Sequence, residues 1–203
     1  MTREEETPME KLATVLSLDI CSSTDILEDL HRTDNVACWR TLLIQLKRFL
    51  REEGTQFPFE LYNFTGDGWL ILLDHDVDGA KLIPFLRRLC RTYGRLYREK
   101  IRPVLETQAE LVGITMGMDR GRLIKIRMND RDEYVGRPLN VACRLQGAIK
   151  DKDRHPANKL LMTKHLFNAI KDDARKWQFK EVKRTLRNIA GGRTVSCMKL
   201  ECG

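Results

Sequence analysis

Short apolar runs and longer amphipathic stretches alternate along the chain. Apolar runs of strand length occur at 13–20, 61–64 and 69–73, and each is bounded by polar or turn residues. Between the first two runs, apolar residues recur every three or four positions, as on one face of a helix; they are Val36, Trp39, Leu43, Leu46 and Leu50. This pattern predicts a domain in which strands and helices follow one another.

The same periods and the turn residues predict the remaining elements. Helices are expected from a cap at Ser22 or Ser23 to about His31, from a cap at Thr33 or Asp34 to Gly54, at 80–97, around Asn140 and Arg144, and at 164–171. Strands are expected at 108–118, 122–128, 159–162, 178–186 and 193–200, with a turn near 119–121. Residues 131–134 are expected to lead into the Asn140 helix, and 150–158 to form a polar loop. Because hairpins require antiparallel pairs, the expected fold class is α+β, with helices over a mostly antiparallel sheet.

The clearest local signal is the hairpin at 60–74, ELYNFTGDGWLILLD. Aromatic and branched residues flank a Gly66-Asp67-Gly68 turn, whose glycines allow close approach of backbone or ligand. An Asp in such a turn is most often only a turn former. A second acid, Asp19, ends the strand at 13–20, however, and precedes the segment Cys21-Ser22-Ser23-Thr24. Two carboxylates at neighbouring strand ends are candidate ligands of a divalent cation.

Composition narrows the class of protein. A chain of 203 residues with 42% hydrophobic and 32% charged residues fits one soluble domain, which we expect to span 12–203 after a frayed, polar segment 1–11. Without an apolar run of roughly 20 residues or an apolar signal segment, we expect a cytoplasmic protein with no membrane partner. Six scattered cysteines fit free thiols, and four histidines show no zinc-ligand spacing. The net charge of +7 suits an anionic partner, either nucleotide or nucleic acid.

Four motifs, in order, resemble the catalytic domain of class III nucleotide cyclases. Two are the strand ending in Asp19-Ile20 and the Gly66-Asp67 hairpin. The third, Val112–Gly117, is similar to the family's Gly-Ile-x-x-Gly strand. The fourth, Gly136–Leu145, is similar to its Gly-x-x-Val-Asn-x-Ala-x-Arg-Leu helix. The resemblance implies the class III cyclase fold, a ferredoxin-like βαββαβ core with added C-terminal strands, and 12–203 as one catalytic domain.

The resemblance also implies a metal and phosphate site. Asp19, Asp67 and the main-chain carbonyl of Ile20 would bind two Mn²⁺ or Mg²⁺ ions, which activate the ribose hydroxyl and shield the phosphates. The amides at the helix start would hold the β- and γ-phosphates; they belong to Cys21, Ser22, Ser23 and Thr24.

A second set of residues would act on the ribose and the transferring phosphate. By resemblance, Asn140 orients the ribose and Arg144 stabilises charge on the phosphate. Arg187, in Leu186-Arg187-Asn188, is the nearest match to a lysine that binds the terminal phosphates, with Arg184 or Lys183 as alternatives. In this family the metal carboxylates and the Asn/Arg pair come from opposite chains, which implies a homodimer with two composite sites.

The base-reading positions depart from the family pattern. Adenylate-forming members carry Lys and Asp there, and guanylate-forming members typically carry Glu and Cys. Here the positions hold Asn63 and Glu133, with Tyr62 beside them. A neutral Asn has donors and an acceptor and can meet a pyrimidine edge. The departures resemble the pyrimidine cyclases of Pycsar, a bacterial anti-phage system in which a cyclic pyrimidine nucleotide activates an effector.

The favoured interpretation is therefore a cyclase that converts UTP, or less favourably CTP, into its 3′,5′-cyclic monophosphate and pyrophosphate. One alternative is an adenylate or guanylate cyclase with an atypical base pocket. Another is an inactive nucleotide-binding domain, which the presence of both acids together with Asn140 and Arg144 disfavours. RNA binding is disfavoured because no strand shows an aromatic-rich RNP pattern, and we expect no nucleic-acid partner.

Overall fold

The computed structural model describes residues 9–107, 109, 111–128 and 130–203. The strands are β1 Glu10–Ile20, β2 Phe59–Phe64, β3 Gly68–Asp74, β4 Ile114–Met128, β5 Arg131–Val135, β6 Lys159–Thr163, β7 Lys180–Thr185 and β8 Thr194–Glu201. The α-helices are α1 Ser23–Arg32, α2 Val36–Gln56, α3 Gly79–Leu96, α4 Arg137–Lys152 and α5 Lys164–Ile170. Within the described part of the chain, no helix has the length and apolar character needed to cross a membrane.

The strands form one sheet in the order β2-β3-β1-β4-β6-β8-β7, and β5 pairs with the second half of β4. The first four strands and the helices between them make a βαββαβ unit with β1 and β3 at its centre, as in ferredoxin-like folds. The β4–β6 pair is parallel and the other pairs are antiparallel. The expected α+β class, ferredoxin-like core and added C-terminal strands are confirmed.

The region expected to form two strands, 108–118 and 122–128, instead contains one continuous strand, β4. Residues 108 and 110 lie outside the described residues, and the strand begins at Ile114. The sequence Asp119-Arg120-Gly121 does not turn, because Asp119 is fully buried in the strand. Its carboxylate accepts hydrogen bonds from the Thr163 hydroxyl at 2.6 Å and from the Arg137 guanidinium at 3.0 Å. Tertiary partners thus overrule the local turn signal.

Other boundaries shift by a few residues. Residues 131–135 form a strand rather than a lead into α4, because they pair with the end of β4. Helix α2 continues past Gly54 to Gln56, and α4 extends to Lys152, two residues beyond the expected start of the loop at Lys150. Strand β1 begins at Glu10, inside the segment expected to fray, and residues 1–8 lie outside the described residues.

The sheet carries helices on both faces, and alternation along each strand shows which residues face which side. In β6, Leu160 and Met162 belong to the large core beneath α1, α2, α3 and α5, whereas Leu161 packs with α4 on the other face. In β1, the odd-numbered Ala13 and Val15 face the α4 side. Asp19 has the same parity and therefore points towards α4.

Gly117 allows α4 to lie directly on β4. A Cβ atom at this position would lie 2.0 Å from the carbonyl oxygen of Ala142 and 2.4 Å from the amide nitrogen of Gln146. Because both are backbone atoms of α4, a side chain at Gly117 would push the helix away from the sheet. The closeness of this contact fixes how near α4 comes to the end of β1.

We expect Gly117→Ala to lower the free energy of unfolding by about 1–3 kcal/mol, because the added methyl group overpacks the α4–β4 contact. The measurement is urea denaturation. Gly94→Ala in α3 is the matched control: its Cβ would meet only Arg98 Nη1, at 3.5 Å, and alanine in a helix is favoured over glycine by about 0.5–1 kcal/mol. A Gly117→Ala protein as stable as the wild type would contradict the described packing.

Candidate active site

Asp19 and Asp67 lie at the same edge of the sheet because β1 and β3 are antiparallel neighbours. Asp19 pairs with Gly68, the residue that follows Asp67. The strands approach so closely here that a Cβ on Gly68 would lie 2.0 Å from the carbonyl oxygen of Leu18. The Ile20 N–H also donates to the Asp67 carbonyl at 3.3 Å, which ties the turn to the end of β1. The turn and the strand end therefore hold the two acids together.

The loop after β1 places the start of α1 against this turn. Ser22 adopts the left-handed conformation, with φ of 53°, and α1 begins at Ser23. The Ser23 hydroxyl donates a hydrogen bond to the Asp67 carboxylate. The first amides of a helix lack partners within it and lie at the positive end of its dipole, so the amides of Ser22, Ser23 and Thr24 suit a phosphate group.

Cys21 has a different role from the predicted one. Its amide donates to the Gly113 carbonyl at 2.9 Å, so this amide is already engaged and is not free to bind phosphate as the sequence predicted. The side chain is buried beneath the loop, and burial raises the pKa of the thiol to about 11. Cys21 therefore fastens the loop to the segment before β4 through its backbone amide, and its side chain is buried and neutral.

Two side chains of α4 complete the surroundings of Asp19, and sequence analysis missed both. The Lys150 ammonium contacts Asp19 Oδ2. The Gln146 amide donates to the same oxygen at 3.3 Å and to the Thr115 hydroxyl at 2.7 Å. Burial raises the pKa of Asp19, Lys150 opposes that rise, and the neighbouring Asp67 adds to it. Neither position belongs to a motif, so only the packing of α4 on the sheet reveals them.

The donors at this edge suit a hard divalent cation. Asp19 and Asp67 supply carboxylate oxygens, and Ile20, the third expected ligand, joins Asp19 to the loop before α1. Mg²⁺ is typically held by one or two carboxylates, with water and phosphate oxygens completing its shell. Among the described residues, no group of three or more His, Cys, Asp and Glu side chains is placed to enclose a metal. The residues therefore fit Mg²⁺ or Mn²⁺ shared with a phosphate-bearing ligand.

Asn140 and Arg144 are exposed on α4 and do not join Asp19 in this chain. At about 100° per residue they share one face of the helix, whereas Gln146 lies about 120° around it from Asn140. Lys150 is ten residues beyond Asn140, about 15 Å along the helix axis. Helix α4 thus presents one face to its own Asp19 and a different face, with Asn140 and Arg144, to solvent.

The three base-recognition candidates lie near one another on β2 and β5. A β-bulge between Leu61 and Asn63 turns Tyr62 towards β5. The Tyr62 hydroxyl donates to the Glu133 carboxylate at 2.7 Å and accepts from the Tyr134 amide at 2.9 Å. Burial, followed by the bond to Glu133, raises the pKa of Tyr62. Asn63 is exposed beside this pair.

Arg187 lies in the exposed turn between β7 and β8. Asp19 pairs with Thr115 of β4, Thr115 pairs with Lys159 of β6, and Lys159 pairs with Glu201 of β8. Glu201, at the end of β8, therefore lies level with Asp19. Thr194, at the start of β8 beside the Arg187 turn, is seven residues away, about 23 Å along the strand. Arg187 is therefore at the opposite end of the sheet from Asp19 of the same chain.

The alternatives to Arg187 differ in their freedom to bind a phosphate. The Arg184 guanidinium donates to Asp153 at 2.5 Å, and this buried carboxylate also binds Lys159 at 3.1 Å and Lys199 at 2.9 Å. Together these contacts lock Arg184 into an internal ion cluster. Lys183 is exposed on β7.

The candidate residues thus form two groups within one chain. The metal and phosphate group surrounds Asp19, which pairs with Thr115 of β4. The base group includes Glu133, which pairs with Ile126 of the same strand. Tyr62 also belongs to the base group through its bond to Glu133, and its neighbours in β2, Leu61 and Asn63, pair through β3 with Leu16 and Ser17 of β1. The base group therefore lies over the middle of the sheet, where Tyr62 packs on the α4 side, and is a side-chain cluster separate from the contacts of Asp19.

No protein-family model and no curated protein match this sequence, but solved structures do. The chain is similar to the adenylyl cyclase CyaB of P. aeruginosa, at 16% identity over 96% of this chain and 95% of that chain, with a TM-score of 0.73. It is similar to the guanylyl cyclase Cya2 at 15% identity over 95% and 93%, with a TM-score of 0.70. It is also similar to the guanylate cyclase domain of RhGC from Catenaria anguillulae in complex with GTP, at 14% identity over 95% and 97%, with a TM-score of 0.66. The chain has the fold of the class III nucleotide cyclase catalytic domain.

We expect a double-mutant cycle of Tyr62→Phe and Glu133→Ala to give a coupling of about 1 kcal/mol in the free energy of unfolding, the typical value of one hydrogen bond. Urea denaturation of the four proteins measures it. Asp132→Ala is the matched control, because this neighbour of Glu133 binds Lys125 rather than Tyr62. Equal coupling energies of Tyr62 with Glu133 and with Asp132 would contradict a specific hydrogen bond between the Tyr62 hydroxyl and Glu133.

Proposed function

We propose that this chain is a metal-dependent nucleotide cyclase that converts a nucleoside triphosphate into its 3′,5′-cyclic monophosphate and pyrophosphate. The observation that carries the proposal is the placement of Asp19 and Asp67 beside the free amides at the start of α1. A triphosphate bound there would meet two carboxylates suited to its cation and backbone donors suited to its phosphates. The similarity of the fold of this chain to those of adenylyl and guanylyl cyclases supports the proposal.

Each group of residues has a distinct task in this reaction. When bound, the divalent cation would lower the pKa of the ribose 3′-hydroxyl and shield the phosphate charge. Asp19 and Asp67 would hold the cation, and the amides of Ser23 and Thr24 would orient the terminal phosphates. Arg144 stabilises the charge that develops on the transferring phosphate, since a guanidinium fork matches phosphate oxygens.

We further propose that the active enzyme is a homodimer with two composite sites. Asn140 and Arg144 face solvent, away from the Asp19 of their own chain, so they need a second chain to meet a triphosphate bound there. A two-fold axis that brings Asn140 and Arg144 of one chain to Asp19 and Asp67 of the other makes both sites at once. Arg187, at the far end of the sheet from its own Asp19, would serve the partner's site by the same exchange.

UTP is the proposed substrate, ahead of CTP. Tyr62 and Tyr134 stack edge to face, with ring centroids 5.5 Å apart, and their bulk beside Glu133 favours a single-ring base. Asn63 can accept from uracil N3–H and donate to O4. The cyclic product would act on an effector in the cytoplasm, in the manner of the anti-phage pyrimidine cyclases that the sequence resembles.

ATP is the alternative substrate that one observation favours. Glu133 occupies the position of the adenine-reading Asp, and an ionised carboxylate only accepts hydrogen bonds. It can therefore accept from an exocyclic amino group, which adenine and cytosine carry and uracil lacks.

Incubating the purified protein with each of the four nucleoside triphosphates and Mn²⁺, then resolving the products by mass, tests the substrate. We expect cyclic UMP as the main product, because a pocket that leaves polar groups of a wrong base unpaired discriminates strongly. Cyclic AMP or cyclic GMP as the main product would overturn the pyrimidine proposal. A folded protein that forms no product from any of the four would overturn the cyclase proposal.

Mixing two inactive variants tests the composite sites. Asp67→Ala and Arg144→Ala should each abolish turnover, because each removes one charged group from both sites of the dimer. After subunit exchange in an equal mixture, half of the dimers are mixed and carry one intact site, so activity should return to about a quarter of the wild-type value. Product formation under saturating substrate is the measurement.

A mixture of Asp67→Ala with Asp19→Ala is the control for this experiment. Both residues belong to the same half-site, so no mixed dimer contains an intact site and activity should stay absent. If the Asp67→Ala and Arg144→Ala mixture also stays inactive after exchange is confirmed, the two half-sites are not shared between chains.

A further inference from the structure

Lys150 is the one cation in contact with the Asp19 carboxylate among the described residues, and it belongs to no motif. Its ammonium contacts Oδ2, the oxygen that also accepts from the Gln146 amide at 3.3 Å. The Lys150 side chain is 38% exposed and that of Asp19 is 21% exposed. The contact therefore forms at the rim of the site, where a cation from solvent would also approach Asp19.

The position of Lys150 is fixed by the helix rather than by chance. Gly117 lets the backbone of α4 rest on β4, and Gln146, one turn before Lys150, binds both Thr115 and Asp19. Residues four apart share a helix face, so the last two turns of α4 aim an amide and an ammonium at the same carboxylate.

An ammonium and a divalent cation cannot share this oxygen freely. Like charges a few ångströms apart repel, and the repulsion is strongest where water is partly excluded. A lysine ammonium is a compact charge on a flexible stem, so it can leave Asp19 without any change in the backbone of α4. Binding of a cation at Asp19 would thus require Lys150 to move away.

We propose that Lys150 is an internal counter-cation of Asp19, which a divalent metal ion must displace, and that it thereby sets the metal affinity of the site. This inference rests on the proposed function, because it takes Asp19 as a metal ligand. Lys150 acts through Asp19 and is a positioning residue. It lowers the affinity for free metal ions and offsets the negative charge of Asp19 until a metal ion binds.

The test is a titration of the full chain with Mn²⁺, without nucleotide, followed by the electron paramagnetic resonance signal of free Mn²⁺. We expect Lys150→Met to bind Mn²⁺ roughly 3- to 10-fold more tightly than the wild type, because the competing charge is gone. Lys150→Arg retains a cation and should bind as the wild type does. Lys152→Met, an equal loss of charge on an exposed residue of the same helix, should change the affinity less than twofold.

Asp19→Asn shows which of the bound Mn²⁺ belongs to the proposed site. If the Asp19-dependent binding of Mn²⁺ is no tighter in Lys150→Met than in Lys152→Met, Lys150 is not a counter-cation of Asp19, although the metal site itself stands. No Asp19-dependent binding in any of the proteins would overturn the metal site itself and the present inference with it. Circular dichroism confirms folding, and Lys150→Gln replaces Lys150→Met in the titration if that variant does not fold.

Discussion

The candidate site depends on one close contact between the backbones of β1 and β3. Gly68 faces the Leu18 carbonyl so closely that any side chain would collide with it. Because the strands meet there, the turn carrying Asp67 folds back over the end of β1 and the two acids share one edge. Neighbouring carboxylates repel each other. The protein compensates with hydrogen-bond donors and a cation from α1 and α4, so both helices are tied to the same two acids.

Helix α4 depends on a second close contact of the same kind. Gly117 removes the side chain that would separate the helix from β4, and the helix then reaches the end of β1 with Gln146 and Lys150. The opposite consequence follows for Asn140 and Arg144, which lie on another face of the same helix and remain exposed. A single packing contact therefore explains why one set of polar residues is internal to the chain and the other is presented outward.

Local signals predicted much of the fold and part of the site. The Gly-Asp-Gly turn and the acid at the end of β1 are local features, and from them the sequence predicted that Asp67 and Asp19 lie at neighbouring strand ends. The prediction of two strands in place of β4 was wrong. Asp119, which looks like a turn residue, is stabilised inside the strand by Thr163 and Arg137, and both are distant in sequence. Lys150 was missed for the same physical reason, since its contact exists only after α4 has packed.

The flexible stem of Lys150 has a consequence for the proposed dimer. Helix α4 is a single helix of 16 residues. Its Lys150 would control cation binding at the Asp19 of its own chain, and its Asn140 and Arg144 would contact the nucleotide bound by the partner. If cation binding moved the whole helix, loading of one site would disturb the other. Displacement of an ammonium needs only side-chain rotation, while Gln146 and Gly117 keep the backbone of α4 on the sheet. Cation binding at one site would then leave the Asn140 and Arg144 that serve the other site in place, and the two sites would bind metal ions independently.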